Sequence, residues 1–132
     1  MPDETLSLLQ EAIQHLLYMS ESDAPFEVVH WENGRGPLDR KQVLALTGYE
    51  ENTPIKEITL HDFFKDLIQK KSWYGEIERE TMRQYQRLFA VIQQRLTDVK
   101  VFFLGKVRVE IYIVGRSADG DWVGVKTTAI ET

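Results

Sequence analysis

The stretch Val107-Arg108-Val109-Glu110-Ile111-Tyr112-Ile113-Val114 sets apolar Val107, Val109, Ile111 and Ile113 against Arg108, Glu110 and Tyr112. A period of two marks a β-strand, because successive side chains leave a pleated chain on opposite faces. Lys100 to Leu104 is a second strand-like run before it, and Trp122 to Ile130 is a third after it. Asp119-Gly120, between the last two runs, is a tight-hairpin signal, since glycine accepts the positive φ that such turns need. These segments predict a C-terminal β-meander.

Working outward, Glu76 to Leu96 has helical periodicity, with a buried stripe of Ile77, Thr81, Tyr85, Leu88 or Phe89, Ile92 and Leu96. Glu76, Glu78 and Glu80 fall in its first turns, where the helix dipole favours anions. Lys70 to Gly75 reads as a loop that presents Trp73 and Tyr74. Leu60 to Gln69 reads as a helix with Phe63, Phe64, Leu67 and Ile68 on one face, and His61 and Asp62 in local capping bonds at its start. Ile55 to Thr59 reads as a short edge strand, with Pro54 tolerated just before it. Leu38 to Leu46 is a short helix ended by Thr47-Gly48, with Gly48 as its C-cap. Glu32 to Pro37 is a loop by its glycine and proline content, and Phe26 to Trp31 a strand. Leu6, Leu9, Ile13, Leu16 and Leu17 predict a first helix from Glu4 to Tyr18, capped by Asp3 or Thr5. Four helices and four or five strands, in a mostly antiparallel and C-terminal sheet, make the fold class α+β. The whole chain, 1–132, reads as one domain by length.

Composition narrows function. Apolar residues make up 42% of the chain, enough for a folded core. The net charge of −5 argues against general nucleic-acid binding, which needs a basic face to displace counterions, and is compatible with a basic protein partner. There is no cysteine, hence no disulfide and no thiolate metal site. The acidic start Met1-Pro2-Asp3-Glu4 lacks the basic and apolar regions of a secretory signal, and no apolar run approaches membrane-spanning length. A cytoplasmic location is expected.

Catalytic patterns are missing. His15, His30 and His61 form no i, i+4 pair of the kind that binds zinc on a helix. His15 lies off the apolar stripe and reads as solvated, and His30 reads as a structural side chain in mid-strand. No nucleophile elbow, phosphate loop or dinucleotide fingerprint occurs, and Gly34-Arg35-Gly36-Pro37 reads as a plain surface turn. Glu21, Asp23 and Glu27 lie close in sequence but lack the glycine and terminal glutamate of a calcium loop. No enzyme activity, cofactor or metal site of its own is expected.

Met19-Ser20-Glu21-Ser22, then Pro25-Phe26-Glu27-Val28 and Trp31, resemble the start of the nuclease A inhibitor family. Leu44 to Gly48, Asp62-Phe63-Phe64, Trp73-Tyr74, Leu104 to Val107, Tyr112 to Gly115 and the final Glu131-Thr132 follow as further landmarks, so the resemblance runs from about Leu8 to Thr132. It implies an α/β/α sandwich and a protein that binds and blocks a magnesium-dependent, sugar-non-specific endonuclease, without touching nucleic acid or membrane. It further implies that Glu21, Trp73 and Thr132 belong to one contact surface.

Each of the three also makes physical sense. Magnesium keeps water-filled positions in a nuclease site, and the carboxylate of Glu21 on a turn could reach the ion or its water as a phosphate oxygen does. A part-exposed Trp is a common interface anchor, and a terminal carboxylate at Thr132 is a second anion. The alternatives stay open: Glu21 as a solvated acid on a helix-ending loop, Trp73 as a core-facing ring, Thr132 as a frayed terminus, and the whole as an interaction module with a non-nuclease partner. Against the family pattern, Ser72 replaces an acidic residue, and Lys70 and Lys71 precede it. Two positive charges beside the anchor would repel a basic partner.

Overall fold

The computed structural model describes residues 4–32 and 38–130. In chain order the elements are α1 (Thr5–Ile13), β1 (Leu17–Tyr18), β2 (Ala24–Pro25), β3 (Glu27–Trp31), α2 (Arg40–Thr47), β4 (Ile55–Ile58), α3 (Leu60–Phe64), α4 (Glu76–Arg95), β5 (Thr97–Leu104), β6 (Arg108–Arg116) and β7 (Trp122–Ile130). The larger sheet has the order β3-β7-β6-β5-β4, and every neighbouring pair is antiparallel. The smaller sheet is the β1–β2 hairpin. The predicted meander β5-β6-β7 is therefore the centre of the fold. Its Asp119-Gly120 turn closes with Gly120 at φ 86° and a Ser117 N–H to Asp121 C=O bond of 2.9 Å.

The sheet is covered on both faces, which gives the α/β/α sandwich. On one face Val101, Ile111, Ile113 and Val125 lie under Leu9 and Ile13 of α1, Leu88 and Ile92 of α4, and Phe63 and Phe64 of α3. On the other, Phe102, Leu104, Tyr112, Val114 and Trp122 pack with Leu38 and with Val43 and Leu44 of α2. Strand β6 alternates between the two cores, so its middle is buried on both sides. Each fully buried aliphatic side chain contributes roughly 1.5–3 kcal/mol. Gly124 serves the tight β6–β7 crossing, where a Cβ would run into the Ile113 carbonyl oxygen. Gly48 caps α2 at φ 78°, a conformation glycine adopts without steric cost.

Several expectations need correction. The first helix stops at Ile13 rather than Tyr18: His15 takes a left-handed φ of 64°, which ends the helix and lets Leu16 bury while Leu17 and Tyr18 form a strand. Thr5 is the first helical residue and not a cap; Asp3 lies outside the described residues. The α3 helix spans five residues rather than Leu60 to Gln69; the chain then turns, and Gln86 of α4 takes the Ile68 carbonyl at 3.0 Å. Its cap is Thr59, whose Oγ1 accepts the Asp62 N–H at 3.1 Å. Ile77 is exposed rather than buried, because α4 enters the core only from Tyr85 onward. Val107 is likewise exposed, one position before β6 begins. The turn at Gly34 to Pro37 lies outside the described residues. No described helix is long and apolar enough to cross a membrane.

Candidate partner-binding surface

Two-residue strands cannot sustain a free-standing hairpin. The β1–β2 hairpin is instead tied to its neighbours by hydroxyl groups. Tyr85 of α4 donates to the Leu17 carbonyl at 2.9 Å, and Thr127 of β7 donates to the Pro25 carbonyl at 3.0 Å. Tyr18 stacks on Phe63 with ring centroids 5.8 Å apart and meets Phe26 edge-on at 6.2 Å. Gln84 of α4 holds the entry to the hairpin through the Gln14 carbonyl at 2.7 Å. Burial of Tyr85, and then the nearby Tyr18 and Asp23, push its hydroxyl pKa well above the ordinary value, so it stays a proton donor into alkaline solution.

The turn between the strands runs from Met19 to Asp23. Glu21 is exposed at its centre. The Ser20 hydroxyl donates to the Ser22 carbonyl at 2.9 Å, and the Ile130 N–H donates to Ser20 Oγ at 3.0 Å. The turn is thus joined to the last described residue of β7. Thr132 itself lies outside the described residues, two positions beyond.

Trp73 is 72% exposed and edge-on to Tyr74 at 4.7 Å, which removes the core-facing reading of this ring. It sits just before α4, whose start is fixed by Glu78: the carboxylate accepts the Gly75 N–H at 3.1 Å. Six large apolar side chains are exposed among the described residues, and four of them, Leu17, Met19, Trp73 and Ile77, line a single groove of about 360 Å³. Met19 is 73% and Ile77 80% exposed. Leu67, Met82 and Tyr85 also line the groove. Met19 is two positions from Glu21, so hairpin and Trp73 loop border one concavity. Lys70 is exposed and Lys71 half-buried, just before that loop's anchor.

Sequence reasoning missed Leu17, Met19 and Ile77. Leu17 and Ile77 read as core because each continues a helical apolar stripe. The signal against that reading was weak: Leu16 and Leu17 are adjacent, and Ile77 lies among the acidic first turns of α4.

A second hollow, of about 330 Å³, is polar and lies beside the far side of the same hairpin. Its charges offset one another. Lys126 pairs with Glu27 at 3.5 Å, and Glu110 accepts from Tyr49 at 2.5 Å and from Tyr112 at 3.3 Å. Burial, followed by the Glu110 charge, raises the Tyr112 hydroxyl pKa to about 12. His30 is bonded to Asp121 at 2.8 Å, a structural role. Among the described residues no group of three His, Asp or Glu side chains could hold a metal ion.

By its fold the chain is an α/β/α sandwich whose central sheet ends in an antiparallel meander. It belongs to the nuclease A inhibitor-like protein family, whose model matches residues 3–132, nearly the whole length. No curated protein matches it.

Proposed function

We propose that the chain is a protein inhibitor that occludes the active site of a magnesium-dependent endonuclease acting on both DNA and RNA. Family membership supports a nuclease as the class of partner. One observation carries the reading: the exposed apolar side chains concentrate in a groove directly beside the exposed Glu21 turn. Clustered apolar surface is a mark of protein–protein contact, and a carboxylate beside it fits a cleft built for phosphate. In this reading Glu21 reaches the nuclease metal or its bound water, Trp73 anchors the contact, and Thr132 belongs to the same contact surface. Inhibition needs no cofactor, and it operates in the cytoplasm, without contact with nucleic acid or membrane.

Lys70 and Lys71 favour a second reading, in which the same surface binds a partner other than a nuclease. Under the first reading, the nuclease rim opposite them carries acidic groups. The test is inhibition of a purified endonuclease of this type on DNA and on RNA. Glu21→Ala is expected to weaken inhibition by roughly 2–5 kcal/mol, the range for losing one partner of a desolvated charge contact, with little change in thermal stability. An unchanged inhibition constant overturns the role of Glu21. Failure of the wild-type chain to inhibit on either substrate favours the second reading.

A further inference from the structure

Strand β3 ends its pairing with β7 at Glu27 opposite Lys126. Beyond that point β7 continues to Ile130, paired on its other side with β6 as far as Arg108. On the vacated side the hairpin takes over. Thr127 Oγ1 reaches the Pro25 carbonyl at 3.0 Å, and the Ile130 N–H reaches Ser20 Oγ at 3.0 Å, across 110 positions of sequence. The same Ser20 hydroxyl donates to the Ser22 carbonyl at 2.9 Å. A hydroxyl has one proton to give and lone pairs to receive, so one side chain closes the turn around Glu21 and fastens it to the end of β7.

We propose that Ser20 is a positioning residue: it locks the Glu21 turn in register with the end of β7, so that Glu21 meets its partner already ordered. The proposal rests on the inhibitor reading. A turn held only by its ends would carry Glu21 through a range of positions, and binding would have to remove that freedom; a turn fastened beforehand avoids this cost. Alanine at position 20 removes these bonds, together with a longer one at 3.4 Å from the Ser22 N–H to the same hydroxyl, while leaving the carboxylate of Glu21 in the sequence.

The test uses the full chain, a purified sugar-non-specific endonuclease from the same cell with magnesium, and the variants Ser20→Ala, Ser20→Thr, Glu21→Ala and the Ser20→Ala/Glu21→Ala pair. All are compared at a temperature where each is folded. Ser20→Ala is expected to speed exchange of the Ile130 amide hydrogen in the unbound protein and to weaken inhibition about tenfold through lost preorganisation. Ser20→Thr, which keeps the hydroxyl, restores both. With Glu21→Ala already in place, removing the hydroxyl changes inhibition less than about twofold, because the two residues act as one unit. Equal losses in both backgrounds mean a merely structural role and overturn the proposal. So does lost inhibition with unchanged Ile130 exchange. A wild-type chain that fails to inhibit overturns the inhibitor reading and this proposal with it. If the wild type inhibits and Ser20→Ala inhibits equally well, only the positioning role falls.

Discussion

The middle of the sheet and the β1–β2 hairpin are held by opposite means. Ile111 and Ile113 of β6 sit between neighbouring strands and beneath α1 and α4, fixed by apolar burial. The hairpin offers few apolar anchors beyond Tyr18, and hydroxyls of Tyr85, Ser20 and Thr127 hold it. Burial is non-directional and large, whereas a neutral hydrogen bond contributes about 0.5–1.5 kcal/mol but fixes a direction. The fold thus spends its apolar residues on stability at the centre and leaves Leu17, Met19, Trp73 and Ile77 exposed around the hairpin. In the proposed reading, stability and partner contact then reside on largely separate residues, with Tyr85 shared between core and groove.

That separation predicts graded effects. Leu88→Ala, in the wholly buried part of α4, is expected to lower unfolding free energy by about 2–5 kcal/mol, through lost burial and the cavity left behind. Urea denaturation reads the loss, and inhibition by the remaining folded fraction is unchanged. Gly124→Ala comes next, at roughly 1–3 kcal/mol, because its Cβ must push β7 away from the Ile113 carbonyl. Tyr85→Phe leaves the ring in the core but strips the Leu17 carbonyl of its donor, for about 1 kcal/mol. Its sharper signature is faster amide exchange confined to the hairpin. Ile77→Ser closes the series: stability shifts by no more than about 0.5 kcal/mol, as for an ordinary surface position, while nuclease binding weakens by more than about 1 kcal/mol. A large stability loss at Ile77, or unchanged hairpin exchange in Tyr85→Phe, would break the division between the regions.

Alkaline titration tests the buried hydroxyls. Tyr85 and Tyr112 have raised pKa values in the fold, Tyr112 to about 12, against 10.0 for an ordinary tyrosine. Above pH 10 the unfolded chain releases these protons while the folded chain keeps them. The contribution is therefore complete below pH 10 and is lost as the pH rises through the folded values. Melting temperature should fall across that window. Tyr112→Phe should flatten the fall.

The fold was legible where one periodicity decided the outcome. Alternation from Val109 to Ile113 and the Asp119-Gly120 turn are local signals, and the meander follows from them. Gly48 was legible as a cap for the same reason. The hairpin was not, because it depends on His15 taking a left-handed conformation and on hydrogen bonds to α4 and β7 from far along the chain. No window of sequence around Leu17 contains Tyr85 or Ile130. The candidate surface divides the same way. Glu21 and Trp73 were marked by the family resemblance, on an acidic loop and on an aromatic loop beside glycine, while Leu17 and Ile77 continued helical stripes and looked buried. Their exposure is a tertiary fact: helix α1 ends early, and α4 begins before it reaches the core.

The most direct test of the account is amide hydrogen exchange across the whole chain, with and without a saturating magnesium-dependent, sugar-non-specific endonuclease. The account predicts joint protection of two segments distant in sequence, the Met19 to Asp23 turn and the Lys70 to Ile77 stretch, with α2 and β4 unchanged. Protection centred on α2, or no protection at either segment, would contradict it.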